Sequence, residues 1–308
     1  VNHLILVDGN NVGFAGMSNP RLSAGDKETQ STFTVIKSIR RIYFDNPQAL
    51  VMVLWDGKSW RKDAFTEYKA NREITAKQVE QREAYFKQKD TLLDGLKYLG
   101  VMQAFASNME ADDLAEIYSR QWNGDKITLY SGDKDWLQLV DERTTWFDPI
   151  RDRQCTNLNF QSFTGCKDVA QFLERKYLLG DTGDNIKGVM GIGEQSLNKL
   201  YSIWETLDEF YSDPNKEKKW KDTFGRAIPK SFENYHEIRR VCTINETLMN
   251  LRTTSRPEPL NLNRFGGKLD EEKFEAFCYE NAFMSFVRDY EKFLRPFKEN
   301  KFVKIQVN

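Results

Sequence analysis

Four short apolar runs in the first half of the chain each lead straight into acidic residues, and this constrains the fold more than any other feature. Leu4–Val7 stops at Asp8, Leu50–Trp55 at Asp56, Val101–Ala106 leads into Met109-Glu110-Ala111-Asp112-Asp113, and Lys126–Tyr130 leads into Ser131-Gly132-Asp133-Lys134-Asp135. Amphipathic stretches around Ser31–Phe44, Val79–Leu99, Ala111–Gln121 and Asp135–Val140 alternate with these runs, and a further apolar run follows at Thr144–Phe147. Strand and helix in alternation predict an α/β fold with a mostly parallel sheet flanked by helices. In such sheets ligands gather beyond the carboxyl ends of the strands.

From about Lys167 the strand signal fades. Val169–Leu179, Gln195–Leu207 and Glu271–Phe293 read as helices, while Lys216–Lys221 and the Pro257/Pro259 stretch Arg252–Asn263 read as loops. This predicts an α/β domain over residues 1–160 and a mostly helical domain over 161–308, since 308 residues suit two domains. Phe274, Phe277, Tyr279, Phe283, Phe286, Tyr290 and Phe293 recur at helical spacing, which favours a core stripe over a base-stacking platform.

Composition removes several classes. No run of eighteen apolar residues exists, which excludes a transmembrane helix. The opening Val1–Asp8 lacks a basic flank and ends its apolar run at an aspartate, so it reads as a buried strand rather than a signal peptide. Cys155, Cys166, Cys242 and Cys278 form no CxxC pair, as expected of free thiols in a reducing cytoplasm. His3 and His236 lie far apart, so a zinc site has no close-spaced nitrogen or sulfur donors. A catalytic metal would be held by oxygen, which points to Mg²⁺ or Mn²⁺. The net charge of −1 makes the whole molecule no magnet for nucleic acid, but Lys58 to Lys89 holds nine Lys or Arg against five Asp or Glu. That local excess acts within a Debye length of ~8 Å.

One acid at a strand end is ordinarily a helix N-cap or turn residue. Parallel strands lie about 4.8 Å apart, however, so four consecutive strands ending this way bring their acids into one cleft. Crowded carboxylates raise one another's pKa unless cations compensate. An acid-walled cleft with two Mg²⁺ about 4 Å apart is a standard device for cutting phosphodiesters. Asp133 and Asp135, at i,i+2, can face two neighbouring ions. Glu110 and Asp113 share a helical face at i,i+3. At the first turn Glu110 and Asp112 can both point to metal, with Asp113 supporting from behind.

The motifs Asp8-Gly9-Asn10-Asn11, Tyr68-Lys69-Ala70-Asn71-Arg72, Glu110-Ala111-Asp112-Asp113, Ser131-Gly132-Asp133-Lys134-Asp135 and Gly180-Asp181-Thr182-Gly183-Asp184-Asn185 occur in that order. Five in order across residues 8–196 resemble the flap endonuclease, or 5′ nuclease, family. Ser59–Phe65 with the following Tyr-Lys-x-Asn-Arg run is similar to the phage 5′-3′ exonucleases, such as the RNase H of T-even phages. The resemblance implies a PIN-like sheet and a metal site of Asp8, Asp56, Glu110, Asp112, Asp133, Asp135, Asp181 and Asp184. Asp8, Asp56, Glu110 and Asp133 would mainly hold one ion, and Asp135, Asp181 and Asp184 would tune the second. It also implies a helical arch or clamp over about 58–90, with Lys58, Arg61, Lys62, Lys69 and Arg72 near phosphates and Tyr68 stacked on a base or on the arch. A solvated helix face is the plain alternative for that charge run. Around 180–200, Lys187, Gly188, Gly191, Gly193 and Lys199 would form a helix–turn–helix element that grips duplex phosphates, with a monovalent cation in the turn. An ordinary tight turn is the alternative there.

Some positions depart from the family pattern. Ala15 stands where Arg is common, Thr66 where Pro is common, and Met190 and Gln195 where Pro and Lys are frequent. Duplex grip would then fall to Lys187, Lys199 or Lys216–Lys221. The resemblance implies a cytoplasmic enzyme, in the host cell if phage-encoded, that acts as a monomer on 5′ flaps, 5′-ended duplexes and RNA–DNA hybrids and removes RNA primers. A single-strand-binding protein or sliding clamp is the kind of partner expected, although no residue here points to one. A PIN-type single-strand ribonuclease shares the acidic edge but lacks the arch motif and the Gly-rich element. A catalytically silent branched-DNA-binding module would be expected to lack acids that this chain retains.

Overall fold

Strand β1 (His3–Asp8) is buried along its whole length, as a strand covered on both faces must be. In the computed structural model, which describes residues 2–70 and 75–305, β1 lies at the centre of a seven-stranded sheet. Its neighbours are β2 (Ala49–Trp55) on one side and β4 (Lys126–Tyr130) on the other, both parallel. Beyond β2 comes the parallel β3 (Met102–Phe105), and beyond β4 the parallel β5 (Thr144–Asp148). Antiparallel strands close the edges: β6 (Arg153–Cys155) beside β5, and β7 (Asn263–Phe265) beside β3. Asp8 pairs with Leu54 and Val7 with Tyr130, so β1, β2 and β4 all end at nearly the same level.

Alternate residues of the strands face opposite layers. Ile5, Val7, Val51 and Val53 join Val35, Ile36 and Ile39 of α2 (Gln30–Asp45) and Leu92 and Leu96 of α3 (Ala76–Tyr98) in one core. On the other face α4 (Ala111–Gln121) packs against β1, β2 and β3. Helix α3 begins at a Thr75 N-cap, whose backbone and side chain exchange hydrogen bonds with Gln78.

The chain forms two units, and their boundary differs from a single cut near residue 160. The first takes residues 2–59, 75–156 and 258–305 of those described, and the second takes 60–70 and 157–257. The expected clamp segment 58–90 is therefore shared between them. The C-terminal stretch returns to the first unit because its aromatic stripe is core: Phe274, Phe277, Phe283, Phe286 and Phe293 are buried with the α2 and α3 residues above. Phe33 of α2 stacks on Phe286 at 4.6 Å between ring centroids. Tyr279 is exposed. The stripe is carried by three helices (Glu271–Glu280, Met284–Val287, Tyr290–Lys298) rather than the one expected. The break falls where the buried Asn281 turns its amide onto the Phe277 carbonyl and Ala282 takes a left-handed backbone (φ 57°).

The second unit is helical and has its own core, including Leu178, Leu197, Leu200, Phe210 and Phe232. Lys216–Lys221, expected as a loop, lies in a helix (Lys216–Phe224) that ends at a left-handed Gly225. Its lysines conceal a single anchor: Trp220 is fully buried and stacks on Trp204, 6.3 Å between centroids. The expected Gln195–Leu207 helix stops at Tyr201, and a new one starts at Leu207 behind a Thr206 cap. No described helix is long and apolar enough to cross a membrane. All four cysteines are free and buried.

If the C-terminal aromatics are core to the sheet domain, Phe274→Ala should cost about 3–5 kcal/mol in urea unfolding, the range for a deleted core phenylalanine. A loss below about 1 kcal/mol would place the stripe outside the core.

Candidate active site

Asp8 closes β1 and caps α1 (Gly9–Gly16). One of its oxygens accepts the Asn11 N–H at 2.9 Å, and the other accepts the Ser131 hydroxyl at 2.8 Å, tying β1 to the segment that leaves β4. Asp56 follows β2. It accepts the Ala111 N–H at 2.8 Å on one oxygen and the Asn10 amide at 2.5 Å on the other. The Asn10 carbonyl oxygen in turn accepts the Tyr85 hydroxyl at 3.0 Å. Gly57 allows this approach: a Cβ there would lie 2.0 Å from the Ala106 carbonyl oxygen, and its N–H donates to the Met109 carbonyl at 2.7 Å. The chain leaving β2 thus runs directly along the chain approaching α4.

Glu110 stands at the N-cap of α4 and accepts the Ser59 hydroxyl at 2.6 Å. Asp113 is fully buried and accepts the Glu110 N–H at 3.2 Å, a position behind the cluster. Asp112 accepts the Trp136 indole N–H at 2.5 Å. Asp133 caps the 3₁₀ turn Lys134–Leu139 by accepting the Asp135 N–H at 2.8 Å, and its own N–H donates to Ser131 Oγ at 3.0 Å.

The first unit therefore brings Asp8, Asp56, Glu110, Asp112 and Asp133 within one another's fields. Burial, then the nearby Asp56 and also Asp133, push the Asp8 carboxyl up to about 7. Burial and then Asp133, Glu110, Asp8 and Asp56 hold Asp112 well above the usual carboxylate range. Among the described residues, no three His, Cys, Asp or Glu side chains stand as a ready ligating group. Oxygens of Asp8, Asp56, Glu110 and Asp112 instead take protein N–H and O–H donors. Their chemistry fits a hard cation: only oxygen donors face one another, and their repulsion is what bound positive charge relieves.

Asp181 and Asp184 belong to the second unit, in and beside a small hairpin of Gly180–Asp181 against Ile186–Lys187. Asp181 accepts the Asp184 N–H at 3.2 Å. Tyr68 and Lys69 also belong there, and they meet Asp184. The Tyr68 hydroxyl donates to Asp184 at 3.1 Å, Lys69 Nζ stands 3.7 Å from the same carboxylate, and the Lys69 N–H donates to the Asp184 carbonyl at 2.9 Å. Tyr68 is 4% exposed, in a cluster with Ile186, Leu248 and Met249, which corrects the expected base-stacking role. Arg61 is likewise corrected from a phosphate contact. It is 2% exposed, donates to the Leu248 carbonyl at 2.7 Å and lies over the Trp60 ring. Arg72 lies outside the described residues. Lys58, Lys62 and Lys187 are exposed, while Lys199 is half-buried over Phe224. Gly188 packs its backbone on Leu179, and Gly191 (φ 80°) and Gly193 are exposed just before the helix Glu194–Tyr201.

Several residues that organise the site were not singled out as site residues by sequence reasoning. Asn10, Asn11, Ser59 and Ser131 hold the acids, and their signal was their place inside or beside the motifs. Tyr85 of α3 reaches the same region with no local signal, and Lys89 with none beyond its place at the end of the basic run that starts at Lys58. Gly13 leaves no room for a Cβ against the Tyr85 ring, and Lys89 Nζ lies 5.3 Å from the centre of the Trp55 ring, immediately before Asp56.

Over residues 3–179 the chain matches the 5′-3′ exonuclease family, N-terminal resolvase-like domain. It is 29% identical to a 5′-3′ exonuclease of Bacillus subtilis over 234 residues, covering 70% of this chain and 76% of that one. It is 28% identical to the DNA polymerase I of the same organism over 233 residues, 70% of this chain but only 26% of the polymerase. A 5′-3′ exonuclease of Halalkalibacterium halodurans is 33% identical over 52% of this chain and 54% of its own. The chain thus spans about a quarter to about half of several of the relatives it matches. In fold it is similar to the bacteriophage T5 D15 flap endonuclease, solved with DNA and metal ions (TM-score 0.61, 20% identity, 97% of this chain and 98% of that one). It is also similar to the catalytic core of Rad2 in complex with DNA substrate (TM-score 0.54, 12% identity, 96% and 91%). With the matched segment covering six of the seven strands of the sheet and its acidic edge, this chain belongs to the 5′-3′ exonuclease family.

Proposed function

We propose that this chain is a divalent-metal-dependent, structure-specific 5′ nuclease. Its substrates would be phosphodiesters of 5′ flaps, 5′-ended duplex DNA and RNA–DNA hybrids, as in removal of RNA primers during phage DNA replication in the cytoplasm. One observation carries the reading: carboxylates from the ends of adjacent parallel strands are set together, and burial with the charge of their neighbours raises the proton affinity of Asp8 and Asp112. Membership of the 5′-3′ exonuclease family supports it.

Asp8, Asp56, Glu110, Asp112 and Asp133 would hold cation, with Asp135, Asp181 and Asp184 tuning a second ion and Asp113 supporting Glu110. Two Mg²⁺, or Mn²⁺ in their place, supply Lewis acidity at a phosphoryl oxygen and hydroxide from water at neutral pH. Ser131, Asn10 and Ser59 keep the carboxylates oriented as that charge arrives. Lys69 and Arg72 would offset charge on the scissile phosphate. Lys187, Gly188, Gly191, Gly193 and Lys199 would form the helix–turn–helix grip on duplex phosphates, with Lys58 and Lys62 adding unspecific attraction and a monovalent cation in the Gly-rich turn.

Cleavage of a 5′-labelled flap and of a labelled RNA–DNA hybrid, each with Mg²⁺ and with EDTA, tests the reading. Short 5′ products should form only with metal. Binding without cleavage under both conditions would instead identify a silent DNA-binding module. Asp8→Asn and Asp133→Asn should each lower cleavage more than about 100-fold, beyond the 10–100-fold typical of outer-shell partners, with DNA affinity largely kept. Lys69→Ala should slow cleavage more than it weakens binding.

The raised Asp8 carboxyl also sets a pH dependence. Below about pH 4 the folded and unfolded chains both hold the proton, and between about pH 4 and pH 7 the folded chain alone holds it. Folding is thus favoured less as pH rises through that window, where the folded state binds more protons than the unfolded one. Thermal melts of metal-free protein should show the Tm of the unaltered chain losing ground to that of Asp8→Asn from pH 4 to pH 7. That relative loss should be reversed by saturating Mg²⁺ at pH 7. His3, held down to about 4 by burial and Lys126, works in the opposite direction over the same range, so the difference between the two proteins decides: an equal pH trend in Asp8→Asn would contradict a raised Asp8.

A further inference from the structure

Lys89 sits on α3, one turn beyond Tyr85, so both side chains leave the same helical face. That face looks onto the acidic cluster. The Tyr85 hydroxyl meets the amide oxygen of Asn10, whose nitrogen holds Asp56, and burial together with Asp8 and Asp56 raises the Tyr85 pKa. The Lys89 ammonium lies 5.3 Å from the centre of the Trp55 ring, and Trp55 is itself 1% exposed and joined by its indole N–H to Gln103. A Cβ on Gly9 would approach the same ring to 2.6 Å, so α1 closes on Trp55 as tightly as backbone allows. Lys89 is consequently held by an aromatic surface that cannot move aside.

What it lacks, among the described residues, is an anion in contact. Among the described residues no hydrogen bond or ion pair reaches Lys89. Asp90 is its neighbour in sequence, but i,i+1 side chains diverge on a helix. Burial depresses the Lys89 pKa while the field of Asp56 opposes that, so the ammonium feels the cluster without touching it. A half-buried cation without a salt bridge is costly to keep and is a common mark of a site for an anion.

We propose that Lys89 binds a phosphate of the substrate strand beside the acidic cluster. Trp55 fixes the stem of the lysine, and Asp56 is the carboxylate whose field it shares. Once cations neutralise that carboxylate, the ammonium is left facing the one anion a nuclease brings in. This inference rests on the nuclease reading above and adds a contact within the sheet domain, independent of Lys69, which Asp184 engages in the second unit.

The test pairs Lys89→Met, which keeps the stem on Trp55 and removes the charge, with the conservative Lys89→Arg. DNA binding is followed by fluorescence anisotropy on a 5′-flap duplex across KCl concentrations, with Ca²⁺ as a hard cation of the same ligand chemistry. Single-turnover cleavage is measured across Mg²⁺ concentrations. Loss of one phosphate contact should reduce the slope of log affinity against log salt by about 1 in Lys89→Met. Cleavage should fall roughly 10- to 100-fold, the worth of a hydrogen bond to a charged group, and Lys89→Arg should recover part of it. Unchanged slope and cleavage in Lys89→Met would overturn the proposal. So would a cleavage defect fully restored by higher Mg²⁺ with the salt slope unchanged, because the ammonium would then act on the metal site alone. If the unaltered chain cuts nothing, the nuclease reading fails, while the salt slope still decides whether Lys89 meets a phosphate.

Discussion

The repulsion among carboxylates at the carboxyl edge of the sheet is the constraint around which the first unit is arranged. β1 has a parallel partner on each side, and the registers end β1, β2 and β4 together, so the residues just beyond these three strands must share one space. Asp8 and Asp56 could not be packed there as bare charges. Each is wrapped in donors instead: Asn11 and Ser131 on Asp8, Asn10 and the Ala111 N–H on Asp56. Even so, Asp8 and Asp112 remain raised, because hydrogen bonds cannot cancel neighbours of like charge in a buried setting. The cluster is a region of stored electrostatic cost that divalent cations lower, which is the physical sense in which a fold can ask for a metal.

The second unit answers a different problem, that of holding an irregular acidic hairpin. Asp184 is gripped from residues far away in sequence, by the Tyr68 hydroxyl and the Lys69 backbone and ammonium, while Asn185 donates to the Glu67 carbonyl. Lys69 adopts φ 57° to make these contacts, a geometry a non-glycine residue keeps only when its surroundings impose it. Arg61 is spent in the same way, on the Leu248 carbonyl. A run of positive residues that reads as one face toward nucleic acid is therefore divided, and some of it is internal framework.

The strands and their acids were legible because each apolar run was bounded by a motif, and a parallel strand buried on both faces leaves a continuous hydrophobic signature. The core role of Phe274, Phe277 and Phe293 was legible from helical spacing. The breaks between the three helices that carry them were not, since Asn281 and Ala282 end a helix through contacts made only in the folded state. Lys216–Lys221 reads as a loop and is helical for a related reason: one tryptophan, Trp220, supplies the anchor, and a lysine-rich surround hides it.

By itself the sequence determined which chemistry is available: oxygen donors at the ends of consecutive strands, almost no histidine, no close-set cysteines, and motifs of one nuclease family in order. Strand periodicity and motif order are local properties, so they survive without knowledge of the fold. Only the tertiary structure decided which side chains meet. It returned the C-terminal aromatics to the sheet domain, buried Tyr68 and Arg61 within the second unit, and set Tyr85 on Asn10 and Lys89 over Trp55, each one residue or one hydrogen bond from the acids. These outcomes depend on packing between segments tens to hundreds of residues apart, where space and partners, rather than neighbours in the chain, fix what a side chain can do.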